Sequence, residues 1–327
     1  MKFENFTIEA TASAVPKRVV TNDQLAQIME TSDEWIVQRT GIHQRHISTD
    51  ETTTQLCTQV AQTLLAKANL TADDLDYIVV ATMSPDTLTP SVSAGVQGNL
   101  GAQHAAAFDL NAACSGFVYG LSVVRQLLIG DRQKHALLIG GEVLSRLIDW
   151  QDRSTAVLFG DGAAGVLLSS APAAEGAWIS EDIRTFGDLG DHLTAGQLPS
   201  HDPFTGQTSA GQPYFQMNGR QIYSFAVKQI PQSIERAVTQ SHLIVNDINH
   251  FVLHQANQRI IQAVANKMAV ESALFPVNIG EMGNTAAASE PLLLDQLVTD
   301  GTIQRGDLLA LTGFGGGLTV GTVLLRY

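Results

Sequence analysis

Short apolar runs without polar alternation punctuate this chain, and between them apolar residues recur at helical spacing. Tyr77-Ile78-Val79-Val80-Ala81, Ala136-Leu137-Leu138-Ile139-Gly140 and Ala156-Val157-Leu158-Phe159 have the length and content of strands buried on both faces. Between the first two, Cys114 to Ile129 places Phe117, Val118, Leu121, Val124 and Leu128 on one stripe, which predicts a helix, with Gly130 as its stop signal. Strand, helix, strand in that order predicts α/β architecture with parallel pairing.

The pattern also repeats. Leu70-Thr71-Ala72-Asp73-Asp74-Leu75-Asp76-Tyr77-Ile78-Val79-Val80 aligns with Leu243-Ile244-Val245-Asn246-Asp247-Ile248-Asn249-His250-Phe251-Val252-Leu253, and at the same offset Ala136–Gly140 falls on Leu309-Ala310-Leu311-Thr312-Gly313. Phe159-Gly160-Asp161-Gly162 resembles Phe314-Gly315-Gly316-Gly317, each leading into an apolar strand. Two matches at one offset predict duplicated halves, residues 1–172 and 173–327, divided near Ala171-Pro172-Ala173.

Composition narrows the function classes. The 327 residues suffice for about two domains of ~150 residues. With 44% hydrophobic and 16% charged residues the chain can offset its conformational entropy and fold. A net charge of −13 argues against nonspecific nucleic-acid binding, although a small basic patch can survive on an acidic protein. Cys57 and Cys114 are too few for a disulfide framework and lack metal-ligand spacing, so no metal is expected and a reducing, cytoplasmic location fits. Met1-Lys2-Phe3-Glu4-Asn5-Phe6 opens no signal peptide, and no apolar run approaches the ~20 residues of a membrane span.

Three side chains stand out chemically. Cys114 follows the small-residue loop Asn111-Ala112-Ala113 and opens the amphipathic helix, where the positive end of the helix dipole favours thiolate. A free cysteine is also among the most readily buried residues, and that reading suffices for Cys57. His254 closes the apolar run Phe251-Val252-Leu253, at the carboxyl end of a strand, where catalytic groups gather in such sheets; a structural histidine would fit there too. Asn284, in Gly283-Asn284-Thr285, is equally compatible with turn chemistry. The glycine run at 313–317 is no phosphate loop: it lacks the Lys-Ser/Thr ending, and a strand rather than a helix follows it.

Ala113-Cys114-Ser115-Gly116, His254-Gln255-Ala256-Asn257, Gly283-Asn284-Thr285 and Phe314-Gly315-Gly316-Gly317, in this order, resemble the β-ketoacyl-acyl-carrier-protein synthase III enzymes of bacterial fatty acid synthesis. The resemblance begins at Trp35-Ile36-Val37-Gln38-Arg39-Thr40-Gly41-Ile42 and runs through Phe159-Gly160-Asp161-Gly162-Ala163 to the last strand. It implies the thiolase fold, two duplicated halves in a five-layered αβαβα arrangement, as a homodimer. It implies an acyltransferase that needs no cofactor and condenses a short acyl-CoA with malonyl-acyl-carrier protein, losing CO₂. A synthase III-like enzyme of secondary metabolism is the alternative. Relatives differ at informative positions: degradative thiolases need a second cysteine in the glycine loop, hydroxymethylglutaryl-CoA synthases a glutamate at Met83, and elongating synthases a histidine at Asn284. A papain-like hydrolase shares the Cys, His, Asn order but not its signature or a duplicated fold.

The resemblance implies roles. Cys114 is the nucleophile, His254 and Asn284 donate to the thioester oxygen, and the N–H groups of Cys114 and Gly316 form the oxyanion hole. Trp35, Arg39 and Arg153 clamp the adenine of CoA and Asn257 contacts its pantetheine arm. Gln255, Ala256, Asn257, Gln258, Arg259 and Lys267 meet the acidic carrier protein. Phe314 crowds the malonyl carboxylate, and Thr89, where the family often has phenylalanine, closes the partner subunit's acyl pocket. Ser224 stands where the family often has lysine, and Ala286 and Glu290 depart from the usual serine and apolar residue.

Overall fold

The structure, a computed structural model, describes residues 2–327, the side chain of Glu175 excepted. Its principal elements, in chain order, are β1 (Asn5–Ala14), α1 (Asp33–Thr40), α2 (Thr53–Ala68), β2 (Tyr77–Ala81), α3 (Val92–Leu100), β3 (Ala106–Leu110), α4 (Gly116–Leu128), β4 (His135–Glu142), β5 (Gly162–Ala171) and β6 (Trp178–Thr185). Then come α5 (Gly219–Ser241), β7 (His250–Leu253), α6 (Gln258–Met268), α7 (Ser289–Thr299), β8 (Leu308–Gly315) and β9 (Thr319–Arg326).

The strands form two sheets with one plan. The first runs β1-β5-β4-β2-β3 and the second β6-β9-β8-β7. In each, the first three strands pair antiparallel and the next joins parallel; β3 extends the first sheet by one further parallel strand. The sequence repeat is thus a structural repeat: Tyr77 and His250 open equivalent strands, as do Asn5 and Trp178. Those last two residues even join, the Asn5 side chain accepting from the Trp178 N–H and donating to its carbonyl.

Five layers follow from where the apolar residues of each strand point. Successive side chains alternate faces, so Val79, Leu138, Leu309 and Leu311 turn to a central core shared with Phe117, Val118 and Leu121 of α4 and Leu293, Leu294 and Leu297 of α7. Ile78, Val80 and Leu137 turn outward to Leu56, Val60 and Leu64 of α2. Phe251, Leu253 and Ala310 turn outward to α5 and α6. Strands covered on both faces need no polar alternation, which is why they read as unbroken apolar runs. Among the described residues no helix is long and apolar enough to cross a membrane.

One expected strand is absent. Ala156–Phe159 is instead the end of a short helix, Arg153–Ala156, and the turn after it. The Asp152 carboxylate caps that helix by accepting from the Ser154 N–H. Val157, Leu158 and Phe159 are apolar because they line a cavity. The strand of this region is β5, six residues further on from Ala156.

Candidate active site

The cavity, about 900 Å³, opens where the ends of β3, β7 and β8 converge. Cys114, His254 and Asn284, scattered over 170 residues of sequence, all line it, with Phe314, Gly315 and Gly316. Each arrives by a different local device.

Cys114 sits in a tight turn, Ala113–Ser115, that feeds directly into α4. Ala113 is held in the left-handed region at φ 47°, its N–H donating to Asn111 Oδ1. Ser115 Oγ bonds Thr319 Oγ1 at 2.8 Å, fastening the turn to β9. β8 makes room by glycine: a Cβ on Gly315 would lie 2.6 Å from Cys114 Cβ and 2.9 Å from Sγ. The helix start packs as closely, since a Cβ on Gly116 would meet those of Ala81 and Ala287 at 3.1 and 3.3 Å.

The thiol's electrostatics differ from the sequence expectation. Burial pushes its pKa up, and Glu290 and Glu142 act in the same direction, while the N–H groups of Gly316 and of Cys114 itself oppose them. Position at a helix start favours thiolate, but Cys114 is only 5% exposed and desolvation outweighs it. Cys57, fully buried on α2, is likewise pushed up.

His254 continues β7 by donating its N–H to the Thr312 carbonyl. Its ring lies edge-on to Phe314, centroids 5.1 Å apart, and Nδ1 is buried without a partner among the described residues. Burial lowers its pKa to about 3, so the imidazole is neutral. Asn284 is pinned beside Phe159 by backbone bonds to Leu158 and Gly160. Its Oδ1 accepts from the Ala286 N–H at 2.9 Å, which leaves the Nδ2 amide for the cavity. Turn chemistry and a site-facing donor therefore coexist in one side chain.

At the mouth, Trp35 and Arg39 share a face of α1, the guanidinium 4.3 Å from the indole centroid, and Arg153 approaches the same ring at 5.2 Å. Asn257 caps α6 by accepting from the Arg259 N–H, and donates to the Arg39 carbonyl. Gln258, Arg259 and Lys267 are exposed along α6, and Ala256 lines the cavity. Gln255 does not belong with them. It is 1% exposed, donating to the Leu253 carbonyl and accepting from the Asn278 N–H, so it offers a carrier protein no surface. Thr89 lies on an exposed loop beside Leu88, outside this chain's own cavity. Ser224 is exposed on α5, flanked one turn away on each side by exposed Arg220 and Lys228.

Sequence reasoning passed over Glu142. Fully buried at the end of β4, it collects the N–H groups of Met83 and Ser84 and the hydroxyls of Thr82 and Ser84. Burial nevertheless raises its pKa to about 7. Its only signal was a carboxylate directly after an apolar run. The roof was also missed: Leu193, Phe215 and Met217 close over the cavity, Phe215 stacked on Phe159 at 4.2 Å. Among the described residues no group of three or more His, Cys, Asp or Glu could hold a metal ion.

Residues 108–187 match the family described as 3-oxoacyl-[acyl-carrier-protein (ACP)] synthase III, and residues 238–327 match its C-terminal counterpart. The chain is 64% identical, over the full length of both, to the β-ketoacyl-[acyl-carrier-protein] synthase III of Levilactobacillus brevis, and 61% identical, again end to end, to that of Lactobacillus helveticus. It is similar to the crystal structure of the Aquifex aeolicus 3-oxoacyl-[acyl-carrier-protein] synthase III, with TM-score 0.89 and 38% identity over 98% of this chain and 100% of that one. With a cysteine, a histidine and an asparagine brought to one cavity of a doubled, five-layered frame, the chain belongs to the β-ketoacyl-[acyl-carrier-protein] synthase III family of thiolase-fold condensing acyltransferases.

Proposed function

We propose that this enzyme joins a short acyl-CoA to malonyl-acyl-carrier protein by decarboxylative condensation, with Cys114 carrying the acyl group between them. The observation that carries the reading is the meeting of Cys114, His254 and Asn284 in one cavity, with the Gly315–Gly316 backbone packed against the cysteine. In the first stage Cys114 attacks the acyl-CoA thioester carbonyl and CoA leaves. The resting sulfur is a thiol, so its proton departs as the new bond forms and ends on the sulfur of the released CoA, passing through solvent in the cavity. The N–H groups of Cys114 and Gly316 receive the oxyanion.

In the second stage malonyl-acyl-carrier protein enters and its carboxylate leaves as CO₂. The electron pair of the broken bond becomes an enolate, which attacks the acyl carbonyl and expels Cys114 as thiolate, and a proton from solvent restores the resting thiol. His254 and the Nδ2 of Asn284 donate to the thioester oxygen while it carries the enolate charge. An asparagine can polarise but not abstract a proton, which suits a carbanion made by losing CO₂. Phe314, against the His254 ring, gives the malonyl carboxylate an apolar wall that favours loss of its charge.

Trp35, Arg39 and Arg153 then serve as the adenine clamp and Asn257 as a pantetheine contact, with one guanidinium leaving the indole face as the base stacks. Arg220, Lys228, Arg259 and Lys267 supply a basic rim for the acidic carrier protein on a molecule of net charge −13. A homodimer is supported by β3, an edge strand whose Phe108 and Leu110 are half-buried and whose outer side pairs with no strand among the described residues. We divide the chain into halves 1–172 and 173–327, since β5 ends at Ala171 and β6 begins at Trp178. No cofactor takes part, and the reading places the enzyme in the cytoplasm. The test is release of labelled CO₂ from malonyl-acyl-carrier protein: release that depends on acyl-CoA and stops in Cys114→Ala supports the assignment, and undiminished condensation by that variant refutes it.

A further inference from the structure

The first turn of α7 holds a carboxyl that the mechanism above does not use. Glu290 is fully buried, and neither carboxyl oxygen has a partner among the described residues. Buried polar groups without partners are rare and concentrate where a site uses them. A Cβ on Gly313 would meet Glu290 Oε1 at 2.8 Å, Ser115 Cα at 2.8 Å and the Cys114 carbonyl oxygen at 3.4 Å. Gly315, whose Cβ would meet Cys114 Sγ, lies two residues on and so on the same face of β8. The carboxyl therefore sits one pleat repeat from the sulfur, against the turn that carries it.

Other charged groups do not occupy this position. Glu142 of β4 is the other acid that bears on Cys114, and His254 after β7 is neutral. Asp295, further along α7, turns away to Thr11 and Ser13 of β1 and Lys67 of α2. Arg125 of α4 lies over Trp178. Glu9 of β1 is exposed, His250 at the far end of β7 faces Asp307, and β5 and β8 contribute no titratable side chain.

We propose that Glu290 is a positioning residue for the nucleophile: a carboxyl set beneath the Cys114–Ser115 turn whose charge state controls the reactivity of the sulfur. Protonated, it is a neutral floor for the turn. Ionised, it places a like charge beside the forming thiolate and slows it. Burial favours the protonated form, so the restraint tightens as the medium becomes alkaline.

The proposal rests on Cys114 being the nucleophile, and the experiment separates the two. Cys114 alkylation by iodoacetamide needs no acyl transfer; it is followed by peptide mass mapping across the neutral-to-alkaline range, with labelling of fully buried Cys57 as the sign of unfolding. An acetyl-CoA adduct is measured on the same preparations, so loss of the adduct reports on the nucleophile reading alone. Glu290→Gln and Glu290→Leu should alkylate at the wild-type rate where Glu290 is protonated and pull ahead, by about tenfold, where it is ionised. A constant ratio to wild type at every pH, or a departure in Glu290→Leu alone, overturns the proposal. Should neither variant fold, the wild-type profile decides: coupled ionisations give a rise in two steps, and a single-group curve overturns it.

Discussion

Gly315 shows how narrowly the nucleophile is placed. A methyl group there would enter the space of Cys114 Cβ and Sγ, so Gly315→Ala should lower the acylation rate by roughly tenfold to a hundredfold, as a displacement of about 1 Å does elsewhere. Single-turnover acylation by acetyl-CoA checks it. On the proposed mechanism, His254→Ala and Asn284→Ala remove donors to the enolate. Each should lower malonyl decarboxylation by roughly two to three orders of magnitude while Cys114 still becomes acylated. Wild-type condensation in either variant contradicts the assigned role. Burial also gives His254 a signature in stability. Its folded pKa of about 3 lies below its ordinary 6.5, so the unfolded chain binds the proton first. Stability is full above about pH 6.5 and falls as the medium is acidified toward the folded value, by at most ~1.4 kcal/mol per pH unit. Melting temperatures against pH should show that slope reduced in His254→Ala.

Elements decide which residues meet. The Thr82–Met83–Ser84 loop after β2 is gathered by one carboxylate, Glu142, and α1 carries the indole–guanidinium pair on one face. Glu142 titrates opposite in sign to His254: its folded pKa of about 7 lies above the usual 4.5, so stability falls as pH rises through that interval. Glu142→Gln should remove that decline while costing about 1–3 kcal/mol through lost acceptors. Thermal melts on either side of the interval check both. Strands were legible because burial on both faces leaves a run such as Tyr77–Ala81 no polar alternation, and the repeat was legible because equivalent strands need equivalent residues. Ala156–Phe159 misled for the same physical reason, since lining a cavity and lining a sheet demand the same apolar residues. Cys114, His254 and Asn284 stand out in the sequence through short motifs, and they line one cavity. Glu142 carries no such motif, and Gln255, expected at the carrier-protein surface, is buried, because partners distant in sequence decide both.

At the scale of the molecule, an acidic protein has to receive an acidic partner. Arg259→Glu should raise KM for malonyl-acyl-carrier protein several-fold and weaken its salt dependence, with KM for acetyl-CoA unchanged. Equal effects on both substrates contradict a docking role. Under the proposed homodimer the subunit pair sets primer length, through Thr89 and Leu88, which are exposed on their own chain. On that proposal threonine in place of phenylalanine deepens the partner's pocket, and each methylene a primer then buries is worth ~0.8 kcal/mol. Butyryl-CoA should accordingly serve at least comparably to acetyl-CoA, and Thr89→Phe should restore a preference for the shorter primer. A wild type that ignores four-carbon primers, with Thr89→Phe unchanged, contradicts this and points to Leu88. The central claim is that one sulfur carries the acyl group from CoA to the carrier-bound acceptor, and intact-mass spectrometry tests it most directly. After acetyl-CoA the protein should gain one acetyl group, mapped to Cys114, and adding malonyl-acyl-carrier protein should remove it as acetoacetyl-acyl-carrier protein appears. An unmodified protein, an acetyl group on another residue, or an adduct that persists while product forms would contradict the account.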